Sequence, residues 1–210
     1  SNTGSDSSSG MGVRLGYFGK LSEQLSVGVS HSPKVKMSKF DKYSGLFANQ
    51  GEFDIPENSA IGVALQATPT VKVAADYQKI KYGGVSSIAN SSLNIFQCGV
   101  DNTANCLGGS NGPGFGWSNV NVVKLGMEWA YSSSVILRAG YNKSTNPIRG
   151  ADVTFNILAP GVITKHYTFG GTYRLSRDSE LTWAYMYAPK NSVTGDSLLG
   201  QMSVANPQSP

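Results

Sequence analysis

The sequence predicts an all-β protein: a transmembrane antiparallel β-barrel of the outer-membrane type, present in part. Three observations carry this. Eight short runs alternate large apolar residues with small or polar ones. The runs fall into four pairs, each joined by a short polar turn, and long segments separate the pairs. Aromatic side chains gather at the ends of the runs, where amphipathic rings settle at the two surfaces of a membrane.

The first pair sets Val13, Leu15 and Tyr17 against Arg14 and Gly16. It turns through "GKLSEQ" and returns with Leu25, Val27 and Val29 against Ser26, Gly28 and Ser30. The second places Ile61, Val63 and Leu65 before the turn "ATPT", then Val71, Val73, Ala75 and Tyr77 opposite Lys72, Ala74, Asp76 and Gln78. In the third, Val123, Leu125, Met127 and Trp129 alternate with Lys124, Gly126 and Glu128. After Tyr131-Ser132-Ser133-Ser134 the pattern resumes, with Val135, Leu137, Ala139 and Tyr141 against Arg138, Gly140 and Asn142. The fourth runs through Tyr167, Phe169, Gly171 and Tyr173, the turn "LSRDS", then Leu181, Trp183, Tyr185 and Tyr187. Its opposite face carries His166, Thr168, Gly170, Thr172, Thr182 and Ala184.

A soluble sandwich would bury the large apolar face against a second sheet. Here the opposite face offers mainly glycine, serine, threonine and charges, which suits a wet lumen, with the apolar face turned to lipid. The intervening segments, about 34 to 57, 83 to 117 and 145 to 164, are long for a compact soluble domain. Short turns at one end and long loops at the other is the outer-membrane arrangement. Tyr17, Phe18, Trp129, Tyr131 and Tyr173 lie beside the short turns. Tyr77, Tyr82, Tyr141, Tyr167, Tyr185 and Tyr187 lie toward the long loops.

The 210 residues include 25 glycines, only 14% are charged, and the net charge is +4. Basic residues are scattered, so no nucleic-acid surface is expected. No apolar run is long enough for a transmembrane helix, a test to which a barrel is invisible. The opening "SNTGSDSSSG" and the end "GQMSVANPQSP" read as loop, which suggests a piece of a longer protein. Cys98 and Cys106, close together in a Gly/Asn/Ser-rich segment, suit a small disulfide loop in an oxidising compartment; two unpaired thiols is the alternative. No cofactor motif, metal spacing or nucleophile motif accompanies His31 and His166, so neither metal, cofactor nor enzyme is expected.

The segments "FDKYSGLFANQGEFDIP", "ATPTVKVAADYQKIKY", "GPGFGWSNVNVVKLG", "LRAGYNKSTNPI" and "FNILAPGVITKHYTFGGTY" resemble, in order, the FadL/TodX family of bacterial outer-membrane transporters. The likeness runs from about residue 11 to 190. It implies a fourteen-stranded barrel with an N-terminal hatch, of which residues 1–210 would supply about eight strands, the sixth to the thirteenth, without the hatch, early strands and final strand. It implies passive uptake of long-chain fatty acids or other hydrophobic small molecules across the outer membrane of a Gram-negative bacterium. It further implies contact with outer-membrane lipid and lipopolysaccharide, and a monomer when full length. A general polar porin or a purely structural barrel is the alternative.

The segment from 34 to 57 resembles the family's fourth extracellular loop, part of a groove that captures ligand. It carries Phe40, Tyr43, Leu46, Phe47, Phe53 and Ile55 beside Lys36, Lys39 and Lys42. Apolar walls and a cation fit a fatty acid; a loop packing its aromatics against the barrel rim is the alternative. Lys124 and Arg138 share the lumenal face by parity and could meet a ligand head group, but Glu128 and Asp76 share it too, so lumenal salt bridges compete with that role. Where the family often carries Asp two residues after the Trp of "GFGW", this sequence has Asn119.

Overall fold

The computed structural model of the chain describes residues 4–198 and 200. The loop-like readings of residues 1–3 and 201–210 lie outside the described residues. Eight strands form one antiparallel sheet in sequence order: β1 (Leu15–Lys20), β2 (Leu25–Ser32), β3 (Glu57–Thr68), β4 (Val71–Lys81), β5 (Val120–Ala130), β6 (Val135–Ser144), β7 (Lys165–Arg174) and β8 (Glu180–Tyr187). Every neighbour along the chain is a neighbour in the sheet, the up-and-down order that consecutive hairpins produce. β3 to β7 have 12, 11, 11, 10 and 10 residues, about the length a tilted strand needs to cross the hydrocarbon layer.

The turns are built as their residues require. Ser22 accepts from the backbone N–H of Leu25 at 3.0 Å. Thr68 accepts from that of Val71 at 3.1 Å, and a register shift between Gln66 and Thr68 absorbs the irregular turn around Pro69.

Because side chains alternate, register decides everything about the two faces. Val29, Ile61, Tyr77 and Val123 lie across from one another on one face, as do Leu25, Leu65, Val73, Met127, Ala139 and Phe169. Protein leaves this face uncovered: Leu15, Ile61, Leu125, Phe169, Leu181 and Trp183 are each at least half exposed. A continuous apolar sheet face of this extent needs a partner or a lipid phase. The buried hydrophobics lie elsewhere. Val85, Ile88, Val120, Val122, Ile148 and Ala48 sit at or near the long-loop end, so the conventional core of this chain is a cap over one end of the sheet.

Two ring positions depart from the expected belts. Phe18 pairs opposite Gly28 on the polar face, and its ring lies against that glycine instead of joining the outer belt. Tyr82 stands beyond the end of β4 with its ring perpendicular to Trp117 at 5.0 Å, inside the cap. Parity explains the first, since Phe18 follows outward-facing Tyr17. Loop packing explains the second.

The long connections are ordered by short helical turns and by bonds to one another. Asn49, Gln50 and Gly51 adopt positive φ of 54°, 61° and 96°. That left-handed corner donates Asn49 N–H to Gly109 O at 2.9 Å and Gln50 N–H to Gly108 O at 2.8 Å, tying the first loop to the second. Residues 4–10 also lie on the first loop, with Tyr43 donating its hydroxyl to Gly4 O at 2.6 Å.

Candidate functional site

The polar face and the loop cap are where the sequence placed its candidate residues. Across the middle of the polar face, small groups leave room: Gly126 is opposite Gly140, and Gly28 is opposite Gly62. The Gly28–Gly62 pair borders a hollow of about 300 Å³, and Gly126 borders a separate one of about 480 Å³ together with Glu128, Arg138, Thr168, Gly170 and Thr182.

Arg138 stands over this hollow. Register puts it opposite Glu128, and the two form an ion pair at 2.8 Å through Nε and Oε2. Its Nη1 donates to Thr172 Oγ1 at 2.8 Å, and Thr172 shares a hydrogen bond of 3.0 Å with Thr182. The guanidinium is therefore neutralised and held across four strands. Lys124 lies on the same face toward the loops, beyond the Gly126–Gly140 pair. It is register partner to both Asp76 and Asn142, and it donates to Gln78 Oε1 at 3.1 Å; Gln78 in turn donates to Asn58 at 3.0 Å. The two cations thus occupy one face without meeting. Of the salt bridges the sequence offered as an alternative, the one between Arg138 and Glu128 is formed.

His31 and His166 fall on opposite faces of the sheet and cannot act together. His31 Nδ1 is bonded to Ser59 Oγ at 2.8 Å on the outward face, whereas His166 is opposite Asn142 on the inward one. Among the described residues there is no cluster of metal-ligating side chains.

The first long loop brings its rings together. Phe47 is the hub, 5.9 Å from Phe40, 6.4 Å from Tyr43 and 5.2 Å from Phe53 between ring centroids. These side chains are half-buried in one another, so the cluster organises the loop itself. Leu46 and Ile55 instead remain 46% and 52% exposed, and they are the apolar surface this loop presents to solvent. Cys98 is bonded to Cys106 in the second loop.

Sequence reasoning missed the polar hub of the cap. Asp152, 1% exposed, accepts at one carboxylate oxygen from Ser91 Oγ at 2.8 Å, Ser92 N–H at 2.7 Å and Ser92 Oγ at 2.9 Å. Its other oxygen pairs with Arg149 at 3.2 Å. Gly116, at φ 68°, leaves room for that carboxylate, which a Cβ would meet at 2.1 Å. Asn156 joins the same junction, accepting from Trp117 Nε1 at 2.6 Å and donating to Phe115 O at 2.7 Å. The second and third loops are locked together there. Asn119, the departure from the resembled motif, accepts from Gly83 N–H at 2.9 Å and closes the base of the second loop.

No family model matches the chain, and no curated protein matches it in sequence. Its fold is that of solved hydrocarbon channels. It aligns with the Pseudomonas putida toluene transporter TodX at a TM-score of 0.55 and 19% identity, over 89% of this chain and 44% of that one. A TodX mutant described as a monoaromatic hydrocarbon channel gives a TM-score of 0.55 at 18% identity, over 92% and 48% of the two chains. The CymD monoaromatic hydrocarbon channel gives 0.50 at 15% identity, over 86% and 47%. The chain spans somewhat less than half the length of these proteins. The motif likeness and the structural likeness agree on one fold: part of an antiparallel TodX-type barrel.

Proposed function

We propose that the chain is the later part of an outer-membrane barrel that passes hydrophobic small molecules without catalysing any reaction. The observation that supports this best is the division of the sheet. One face is large, apolar and uncovered by protein, the other is small and polar, and the whole has the fold of the TodX channel. Lipid covers the first face and ligand traverses the second. The interlocked loops form the cap on the outer side, with Leu46 and Ile55 as apolar contacts and Phe40, Phe47 and Phe53 as the scaffold that presents them.

The charge pattern favours neutral ligands. A fatty carboxylate needs a cation with bonding capacity to spare, yet Arg138 is paired with Glu128 and bonded to Thr172. Lys124, exposed and bonded to a neutral amide, is the better candidate for a head group. A monoaromatic hydrocarbon needs neither. Small hydrocarbons are therefore the first substrate class, and long-chain fatty acids the second. A general polar porin is the competing reading, supported by the hydrated inward face alone.

A deletion strain complemented with the full-length protein, given toluene, oleate or a polar sugar acid as carbon source, separates the three. Restored growth on toluene is expected, with weaker restoration on oleate. Restoration on the polar solute alone would transfer the assignment to a porin.

A further inference from the structure

On the outward face of β6 and β7, Lys143 and Lys165 are direct register partners. Like charges directly opposite one another in a sheet repel, and sequences generally avoid the arrangement. Both side chains are exposed. Salt bridges among the described residues join Lys34 to Asp54, Lys81 to Glu57, Arg138 to Glu128 and Arg149 to Asp152, and neither Lys143 nor Lys165 takes part. The outward positions of β5 to β8 read Asn-Val-Leu-Met-Trp, Val-Leu-Ala-Tyr-Lys, Lys-Tyr-Phe-Gly-Tyr and Leu-Trp-Tyr-Tyr, so these four strands offer no carboxylate to relieve them; Glu57 stands on the same face of β3, where it is paired with Lys81.

Depth is set by what lies one pair nearer the short turns. There Tyr141 faces Tyr167 with ring centroids 5.1 Å apart, and Tyr187 is the next partner along the same row. Such rings mark the junction of hydrocarbon and headgroups. Below them Phe169, Ala139 and Tyr185 continue the apolar surface. Above and to one side, on β4, exposed Lys79 is opposite Asn121 on the same outward face. Neighbouring strands are about 4.8 Å apart, so across the sheet Lys79 stands roughly 10 Å from Lys143 and about 14 Å from Lys165, one pair further toward the loops.

We infer that Lys143 and Lys165, flanked by Lys79, form a binding site for the phosphate group of a membrane lipid whose acyl chains lie along the apolar face below. A phosphate between two opposed ammonium groups turns the repulsion into two attractions, and the tyrosine hydroxyls add donors at headgroup depth. A soluble anion would gain the charge contacts but not the chain contacts beneath them, which is why the occupant is a lipid and not free phosphate. The inference rests on the reading of this face as lipid-covered.

The test uses the full-length protein reconstituted in nanodiscs that mix phosphatidylglycerol with an uncharged, phosphate-free glycolipid, the bound lipid being counted by native mass spectrometry. Enrichment of the phosphorylated lipid is expected. Lys143→Gln with Lys165→Gln should lower that enrichment roughly tenfold, high salt should do the same, and Lys143→Arg with Lys165→Arg should preserve it. Heat-modifiable gel mobility checks that each variant is folded. Equal enrichment in the Gln variant, or displacement of the lipid by millimolar inorganic phosphate, would overturn the inference. A nitroxide on Phe169→Cys separates the two levels of failure. If it reports hydrocarbon while enrichment is absent, only the lysine site is wrong; if it reports water, the lipid-covered face is wrong as well.

Discussion

At the scale of single residues, the inward face of this sheet is governed by where charge is already satisfied. Arg138 and Glu128 are each about 40% exposed at the side chain, 42% and 39%, so their pairing contributes little to stability, of order 1 kcal/mol or less. Under the proposed function its consequence is for selectivity. Glu128→Gln keeps the shape and the hydrogen bond but leaves the guanidinium uncompensated beside the hollow. The variant should fold normally and bind a fluorescent fatty acid several-fold tighter, with affinity for a neutral aromatic ligand unchanged. Competition binding in detergent reads both affinities. Equal gains for the two ligands, or none for either, would show that Arg138 does not face the ligand path. The shared face was legible in the sequence, because period 2 put Arg138, Lys124, Glu128 and Asp76 together; which cation meets which carboxylate depends on register, which period 2 leaves open. The bond from Arg138 to Thr172 was not legible, since it depends on a third strand that returns only after the long loop from 145 to 164.

At the scale of elements, the strands could be read and the loops could not, for one physical reason. A strand advertises itself through alternation between adjacent residues, a local signal, and all eight runs fall on strands, although Val13 and Arg14 precede β1 and Gly19 and Lys20, read as turn, belong to it. The loops are held by contacts distant in sequence. Asp152 reaches Ser91 and Ser92 some 60 residues away, and the left-handed corner at Asn49 and Gln50 bonds to Gly108 and Gly109. Nothing within 34–57 reveals that Phe47 would be the hub of a small aromatic core while Leu46 faces outward. That division predicts how the first loop responds to substitution. Leu46→Ser and Ile55→Ser should each weaken hydrophobic-ligand binding several-fold, since a partly covered aliphatic side chain is worth about 1 kcal/mol. They should leave protease resistance of the loop intact. Phe47→Ser should do the reverse first, opening the loop to limited proteolysis because three ring contacts are lost. Binding that survives in both Leu46→Ser and Ile55→Ser would remove this loop from ligand capture.

At the scale of the whole molecule, the decisive feature is that the sheet has two ends. β1 and β8 are the outer strands of the order, each hydrogen-bonded to one neighbour among the described residues. In water an exposed edge is an aggregation hazard. In hydrocarbon it is far worse, because each unpaired backbone N–H or C=O costs several kcal/mol with no water to satisfy it. The eight residues of β8 alone would present several such groups, more than the apolar contacts of one strand can offset. The isolated 210 residues should therefore fail to give a closed, heat-resistant monomer when refolded into bilayers, whereas a chain that supplies partners for β1 and β8 should succeed. Gel mobility before and after boiling, with amide exchange read at β1 and β8, tests this directly. Fast exchange confined to those two strands, with β3 to β6 protected, is the pattern expected of a stable sheet with open margins. A heat-resistant monomer protected at all eight strands would mean that β1 and β8 close on each other in lipid. The small lumen of an eight-stranded barrel would then replace the wider path that the proposed uptake of hydrophobic molecules requires.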